Sequence, residues 1–416
     1  MSVGALHTSI VLSEPARIHC GNRDPVHGHV KIRYNPSQNK TNASSELFGP
    51  LRIHVIFHGR AKTKIYKRSG QSTSIYRGRA PLFSQSVLVY DDSFKAQPRD
   101  VTMFPFQLTF PEFPAAPLPA GFGPSNRFLT NTSQPLPPSF KDEYSGFAHR
   151  YEAYVEYRLG VEVSMPRLHV DVLKPGKYQE PIIYYQPSAP RVNIQQLDWR
   201  GYVTVSNELL LPEADRPSGF RQKTKAIFGA AHFPTYAFDW VCKAPQHLQG
   251  GQAARFEVNV IPRESACTAV LVPDIHWTCL FIEVKALTQV RAEEGIFSTP
   301  ESEGNYTVCS MRCFPHDRQP FSKANGFSKT IITRPIDTTP ENFSPSFSTF
   351  NICQSYSMEL NLAFSVTGKN EAFKKQYPVH VYPPVATPIA PAPLAQETLP
   401  LPGYEDPPSY SKANSG

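Results

Sequence analysis

The chain has 416 residues, of which 40% are hydrophobic and 42 are proline, and its formal net charge at pH 7 is +7. This many apolar side chains exclude a wholly disordered protein, and prolines along the whole chain argue against long helices. The charge is too modest to require nucleic acid as a partner, and no apolar run reaches the ~18–20 residues that span a bilayer. Because the N-terminus also lacks the pattern of a secretion signal, we expect a cytoplasmic protein.

Short strands are predicted in the first half by apolar side chains at every second position. The alternation is clear in residues 53–57, 104–110 and 157–163. It is typical of antiparallel strands that turn one face to a core and the other to solvent. No long amphipathic helix alternates with these strands, so the sequence predicts an all-β fold of antiparallel sandwiches and disfavours a parallel α/β sheet.

A basic stretch without acidic residues covers residues 47–90. It contains eight lysines and arginines: Arg52, Arg60, Lys62, Lys64, Lys67, Arg68, Arg77 and Arg79. Undiluted positive charge attracts acidic protein tails, phosphates or anionic lipid. Our first candidates for contact with cargo or lipid are Lys62, Lys64, Lys67 and Arg68. The alternative is an ordinary solvated strand face and loop.

Two proline-containing turns, at residues 174–176 and 186–190, frame a short bridge near the middle of the chain. Segments that join domains are typically rich in such residues. We therefore predict a first sandwich over residues 1–173, a linker over 174–190 and a second sandwich over 191–384.

One segment of the second half has helical rather than strand spacing. Apolar residues at 220, 227, 228 and 231 are mixed with the cations Arg216, Arg221, Lys223 and Lys225. This pattern indicates either a basic amphipathic segment that touches a membrane or a solvated loop. Two glycines, at 219 and 229, weaken a helix and favour the loop.

The scattered cysteines, seven in all and so an odd number, predict reduced thiols rather than a disulfide framework. Cys309, Cys313 and His316 have spacing that suits part of a zinc site, but such a site needs four ligands and a fourth is not obvious. We expect no metal and no cofactor. We also do not expect an enzyme, because phosphate-loop, serine-elbow and His-Glu-x-x-His motifs are missing from the sequence. A triad of distant residues would leave no pattern in a single sequence.

The last strands and the tail differ in composition. Apolar residues alternate over 358–366, turn residues follow at 367–370, and alternation returns at 377–381, which predicts a β-hairpin. Beyond it, nine of the last 34 residues are proline and only Tyr404 and Tyr410 are aromatic. Such a segment buries too little apolar area to fold, so we expect residues 385–416 to be a disordered, proline-rich tail.

The tail contains the tetrapeptide Pro407-Pro408-Ser409-Tyr410. Proline fixes φ, so Pro407 and Pro408 would enter an aromatic groove already in polyproline-II form, and Tyr410 offers a ring and a hydroxyl to a second pocket. We interpret these three residues as a ligand for a WW domain; the alternative is a chance occurrence in a proline-rich tail. A near copy at residues 137–140 has Phe in place of Tyr and lies inside the predicted sandwich, so we interpret it as structural.

Several elements together resemble the fungal-type α-arrestins. They are the strand VHGHV at 26–30, the strand and turn LRIHVIFHGRAKTKI at 51–65, the element LPPSF at 136–140, the strands at 256–262 and 358–384, and the Pro-Pro-x-Tyr tail. The resemblance covers roughly residues 8–384 and the tail, and it depends on the order of these elements. Unlike the visual and β-arrestins, the chain has no acidic-hydrophobic clathrin box in its tail.

The resemblance implies two arrestin-like, Ig-like sandwiches that serve as an adaptor. The body would hold the cytosolic tail of a plasma-membrane transporter or receptor, and the tail would recruit a WW-domain HECT-type ubiquitin ligase, promoting ubiquitination and endocytosis. The protein would then be cytoplasmic and recruited to the plasma membrane and endosomes, with anionic lipid as a further partner and no nucleic acid. The alternative is an arrestin-fold coat or sorting subunit, similar to retromer-type proteins, that needs no ligase.

Overall fold

The structure, a computed structural model, describes residues 4–36, 46–115, 121–123, 125–128, 134–146, 149–165, 168–171, 182–189, 192, 195–216, 233–293, 300–314, 319–322, 326–335 and 344–385. These residues form twenty β-strands and three single-turn 3₁₀ helices, Glu208–Leu210, Glu213–Asp215 and Glu264–Ala266. Within the same ranges, no helix has the length and hydrophobicity needed to cross a membrane. The predicted all-β fold is confirmed. The candidate helical segment, apart from Arg216, lies outside the described residues.

Two sheets pack face to face in the first half. Its strands are β1 (Gly4–Leu12), β2 (Ile18–Cys20), β3 (Val26–Pro36), β4 (Leu47–Ser69), β5 (Ser72–Ala96), β6 (Val101–Leu108), β7 (Phe140–Ser145), β8 (His149–Ser164), β9 (His169–Asp171) and β10 (Ile182–Gln186). One sheet has the order β6-β3-β1-β9, and the other has the order β2-β10-β8-β4-β5, with β7 also paired to β8. Side chains from both sheets, such as Val30 of β3 and Val55 of β4, meet in one core.

The second half repeats this plan. Its strands are β11 (Gln196–Ser206), β12 (Thr235–Pro245), β13 (His247–Gln249), β14 (Ala253–Pro262), β15 (Ile275–Arg291), β16 (Glu301–Cys313), β17 (Ser328–Pro335), β18 (Phe347–Ser348), β19 (Ile352–Val366) and β20 (Lys369–Tyr382). The sheet orders are β11-β12-β14-β17 and β13-β20-β19-β15-β16, with β18 paired to β19. Trp240 and Phe256 of the first sheet pack in one core with Leu360 and Phe364 of the second. Each half is therefore a β-sandwich of four and six strands.

The burial of β4 explains why its sequence alternates. Ile53, Val55 and Phe57 are completely buried, whereas the residues between them are only partly buried. Burying one such side chain stabilises the fold by about 1.5–3 kcal/mol, and a slip of one residue would turn all of them to solvent. The alternations predicted at 104–110 and 157–163 are confirmed in the same way, in and beside β6 and along β8.

Three short strand pairs are parallel, although the sequence predicts antiparallel sheets. They are β1 with β9, β2 with β10, and β13 with β20. In each pair one member has only three residues. Three residues are too few to show a hydrophobic period, so the local sequence gives neither the presence nor the direction of these strands.

The predicted hairpin is confirmed in β19 and β20, which are antiparallel from Tyr356 opposite Val379 to Val366 opposite Lys369. Both turn residues have positive φ, 47° at Thr367 and 78° at Gly368, as a two-residue hairpin turn of type I′ requires. This conformation is costly for a β-branched residue such as threonine. The side chain of Asn207 holds Thr367 in place, because its Nδ2 donates to the Thr367 carbonyl oxygen at 3.0 Å and to Oγ1 at 2.7 Å.

Glu359 of β19 is buried despite its charge, with 5% of its surface exposed. Its carboxylate lies 2.6 Å from the Nζ of Lys374 and 2.9 Å from the Nζ of Lys285. The hydrogen bonds from Lys374 and Lys285 lower the pKa of Glu359 to about 2. The buried carboxylate is therefore ionised at neutral pH and fully paired, which is the condition under which a protein tolerates a buried charge.

The two halves share an interface that completes the first core. Val290, Ala292, Phe350 and Ile352 come from the second half but pack within the core of the first. Across the same boundary, the Oγ1 of Thr63 donates to the backbone carbonyl oxygen of Arg291 at 2.6 Å.

Arg291 fastens this interface. It is 2% exposed; its Nε donates to the carbonyl oxygen of Phe350 and its Nη1 donates to that of Gly123 at 2.8 Å. Its guanidinium also lies 5.1 Å from the ring of Phe122 and 4.8 Å from the ring of Phe128. Burial lowers the pKa of Arg291, and the carbonyls and ring faces compensate part of the cost of desolvating its charge.

Candidate functional site

The β4–β5 hairpin brings basic residues of two strands side by side. Lys62 lies directly opposite Arg79, and Lys64 directly opposite Arg77. Opposite residues of an antiparallel pair project from the same face with their Cβ atoms about 4.5–5.5 Å apart, and like charges in this position are destabilising. An anion bound between the two strands would offset the repulsion.

These pairs line a surface depression of about 420 Å³, which we call the basic depression. Its lining is Lys62, Thr63, Lys64, Arg77, Gly78, Arg79, Glu152, Tyr154 and Glu293. Four of these residues are cations and two are carboxylates, so the basic depression has an excess of positive charge. Because Glu293 belongs to the second half of the chain, the depression lies where the two halves meet.

Lys62 is already engaged by a carboxylate outside the depression. Its Nζ lies 2.8 Å from the Oε2 of Glu156, which also pairs with Arg158 at 3.2 Å. Burial lowers the pKa of Lys62, although Glu156 acts against this shift. Burial raises the pKa of Glu156, but the hydrogen bonds and charges of Lys62 and Arg158 outweigh it, so the pKa of Glu156 is lowered. Glu156 therefore competes with an anionic ligand for the Lys62 ammonium.

Lys64, Arg77 and Arg79 are the available cations of the basic depression. Among the described residues, no carboxylate lies within ion-pair distance of their side chains. The two acids of the lining are held by other donors. Glu293 accepts from the backbone N–H of Arg79 at 3.0 Å, and Glu152 accepts from the hydroxyl of Tyr66 at 2.7 Å. The three cations are therefore free to contact an anionic partner.

The structure separates the four candidates named from the sequence. Lys62 and Lys64 lie in the basic depression, whereas Lys67 and Arg68 are exposed at the end of the hairpin and do not line it. There the Nζ of Lys67 lies 6.0 Å from the ring centre of Tyr76, and the Nε of Arg68 donates to a backbone carbonyl oxygen at 3.3 Å.

Two residues of the basic depression, Arg77 and Arg79, were missed as first candidates. The signal for them was present in the sequence. Gly70, which has a φ of 60° in the turn after β4, fixes a hairpin register that places 64 opposite 77 and 62 opposite 79. The contribution of Glu293 had no local signal, because it depends on how the two halves pack.

The tail motif, Pro407, Pro408 and Tyr410, lies outside the described residues, which end at Val385. Its near copy at residues 137–140 is buried, as the structural interpretation predicts. The hydroxyl of Tyr157 donates to the carbonyl oxygen of Pro137, and the Oγ of Ser139 accepts from the backbone N–H of Tyr185 at 2.9 Å. This copy cannot dock on a WW domain while the sandwich is folded.

The partial zinc pattern contains two described residues, Cys309 and Cys313, both on β16. Burial raises the pKa of both thiols, which disfavours the thiolate form that binds zinc. His316 lies outside the described residues. In the part of the chain that the structure describes, no three His, Cys, Asp or Glu residues are grouped as a metal site would require.

Comparison with known proteins gave no matching family model and no curated protein of significantly similar sequence.

Proposed function

We propose that the chain is a trafficking adaptor of the α-arrestin type. In this proposal the double sandwich holds a membrane transporter or receptor, and the tail recruits a WW-domain HECT-type ubiquitin ligase, so that the cargo is ubiquitinated and internalised. The observation that carries the proposal is the Pro-Pro-x-Tyr peptide placed after a body of two β-sandwiches. The burial of the near copy supports the tail as the place where a WW domain would dock.

In this proposal the basic depression is the contact between the body and its cargo. Its three available cations face solvent at the meeting of the two halves, and acidic cytosolic tails and anionic lipid headgroups occur together at the inner membrane surface. Two weak contacts on one chain combine through effective concentration, so neither the depression nor the tail needs high affinity by itself.

The proposal is tested by capturing a WW domain with the full chain and with two single variants. Y410A should abolish binding because it removes the side chain that fills the second pocket. Y404A, the matched control in the same tail, should bind like the wild type. Ubiquitination of cargo in cells should fail with Y410A while the sandwiches stay folded by circular dichroism. Unchanged WW binding and ubiquitination in Y410A would instead favour the coat-subunit function.

A further inference from the structure

A groove of the second half lies between the two sheets of its sandwich, where β16 and β17 are the last strands. The groove has a volume of about 670 Å³. β16 ends the six-stranded sheet and β17 ends the four-stranded sheet, so neither strand is covered by a further strand in the described residues. We call this groove between β16 and β17 the edge groove.

The floor and mouth of the edge groove are apolar and aromatic. Trp277 lies at the floor, 5% exposed, and its Nε1–H has no hydrogen-bond partner. Leaving a buried donor unsatisfied is costly, so this group needs an acceptor. At the mouth, Phe314 and Ile332 are 61% and 67% exposed. Large apolar side chains this exposed beside a concave surface are typical of a docking site.

The charge of the edge groove has one sign. Its lining includes Arg312, Lys329 and Arg334 and no carboxylate. Arg312 and Arg334 are exposed and form no ion pair with a described residue. The groove therefore suits an extended peptide with apolar residues, free carbonyl groups and negative charge.

We propose that residues 399–406 of the same chain, Leu-Pro-Leu-Pro-Gly-Tyr-Glu-Asp, occupy the edge groove. Leucine and proline alternate in its first four residues, Glu405 and Asp406 end it, and residues 386–411 contain no Lys, Arg or His. Alternating prolines favour polyproline II, whose carbonyls have no internal partners and so are available to a donor such as the Trp277 indole. The two acids complement the arginines at the rim.

The segment is long enough to reach the groove. The path from the last described residue, Val385, to the groove has two parts. It crosses the sheet from β20 over β19 and β15 to β16, and it runs along the strands in the direction opposite to β20. With about 4.8 Å between strands and about 3.3 Å per residue, this path is roughly 45 Å. An extended chain covers it in about 14 residues, so Leu399 can reach the near end of the groove and Asp406 the far end.

The proposal is tested by trapping the tail with Cys313, a free thiol that lines the edge groove. In the full chain carrying L401C, oxidised glutathione should produce an intramolecular disulfide to Cys313, identified by peptide mapping. This link should form at least tenfold faster than with S415C, a thiol placed beyond the proposed segment. R312E/R334E should remove the advantage of L401C, and C313S should remove the link.

Equal rates for L401C and S415C would overturn the proposal. So would disulfides that form mainly between differently isotope-labelled chains, since the occupant would then be a second copy. A second measurement does not need a cysteine. The chain has three tryptophans, so the NMR signal of the Trp277 indole N–H can be assigned by its loss in W277F. L399A/L401A should change the chemical shift of this signal. An unmoved signal would also contradict occupancy. Neither result depends on whether the tail binds a WW domain.

Discussion

Neutralising Lys64, Arg77 and Arg79 tests whether the basic depression holds the body at an anionic surface. These are the cations of the depression whose side chains have no carboxylate partner among the described residues. A cation close to an anionic membrane contributes about 1 kcal/mol to binding. K64Q/R77Q/R79Q should therefore lower the affinity for phosphatidylserine-containing vesicles by about 3 kcal/mol, or roughly 100-fold.

The measurement is co-sedimentation of the full chain with these vesicles at low and high salt. The screening length falls from about 10 Å at 0.1 M salt to about 3 Å at 1 M salt. The difference between wild type and variant should be large at low salt and should shrink strongly at high salt. Vesicles of neutral phosphatidylcholine alone should bind both proteins weakly and equally.

The matched control is R23Q/R255Q/K375Q, which removes the same net charge from three exposed positions outside the basic depression. It should reduce vesicle binding much less. The depression variant should also be at least as stable as the wild type to urea, because it removes like charges on opposite strands. If both triple variants weaken binding equally, net charge alone explains the attraction and the reasoning from local geometry is refuted.

Three further outcomes are expected. Phosphorylation of Tyr410 in a tail peptide should abolish WW binding in a titration, since about −1.5 to −2 charges would enter an apolar pocket; equal affinity of the two peptides would contradict this. E359Q should lower the free energy of unfolding in urea by about 1–2 kcal/mol at pH 7, and E371Q, at a more exposed pair, by less than about 0.5 kcal/mol. Because the pKa of Glu359 is lowered from 4.5 to about 2, the E359Q deficit should be complete above pH 4.5 and should fade as the pH falls toward 2; a deficit independent of pH would exclude the charge as its cause. R312E/R334E should raise the affinity of the full chain for a WW domain toward that of the free tail peptide, because a tail seated in the edge groove binds only in its open fraction.

The sequence predicts strands well wherever one face is buried and the other solvated. Residues 53–57 and 358–366 show this, since their alternation follows directly from period-two geometry. The hairpin after Val366 was predictable from Gly368 and its polar neighbours. In each case the information lies within a few neighbouring residues.

What the sequence does not predict depends on residues distant in the chain. Glu359 stands at a position that alternation assigns to solvent, yet it is buried because Lys285 and Lys374 meet it from adjacent strands. The place of Glu293 beside Arg79 depends on how the sandwiches pack against each other. No local pattern carries such information. The run of basic residues was therefore predictable from the sequence, but the depression that they line was not.

The side chains of the second sandwich that pack in the core of the first have a practical consequence. A gene cut after β10 would give an N-terminal fragment without Val290, Ala292, Phe350 and Ile352, and it would leave an apolar hole open to water. Such a fragment should be aggregation-prone in expression trials, and evolution could not readily move the first sandwich into another protein by itself. The first sandwich should therefore be inherited and produced together with the second.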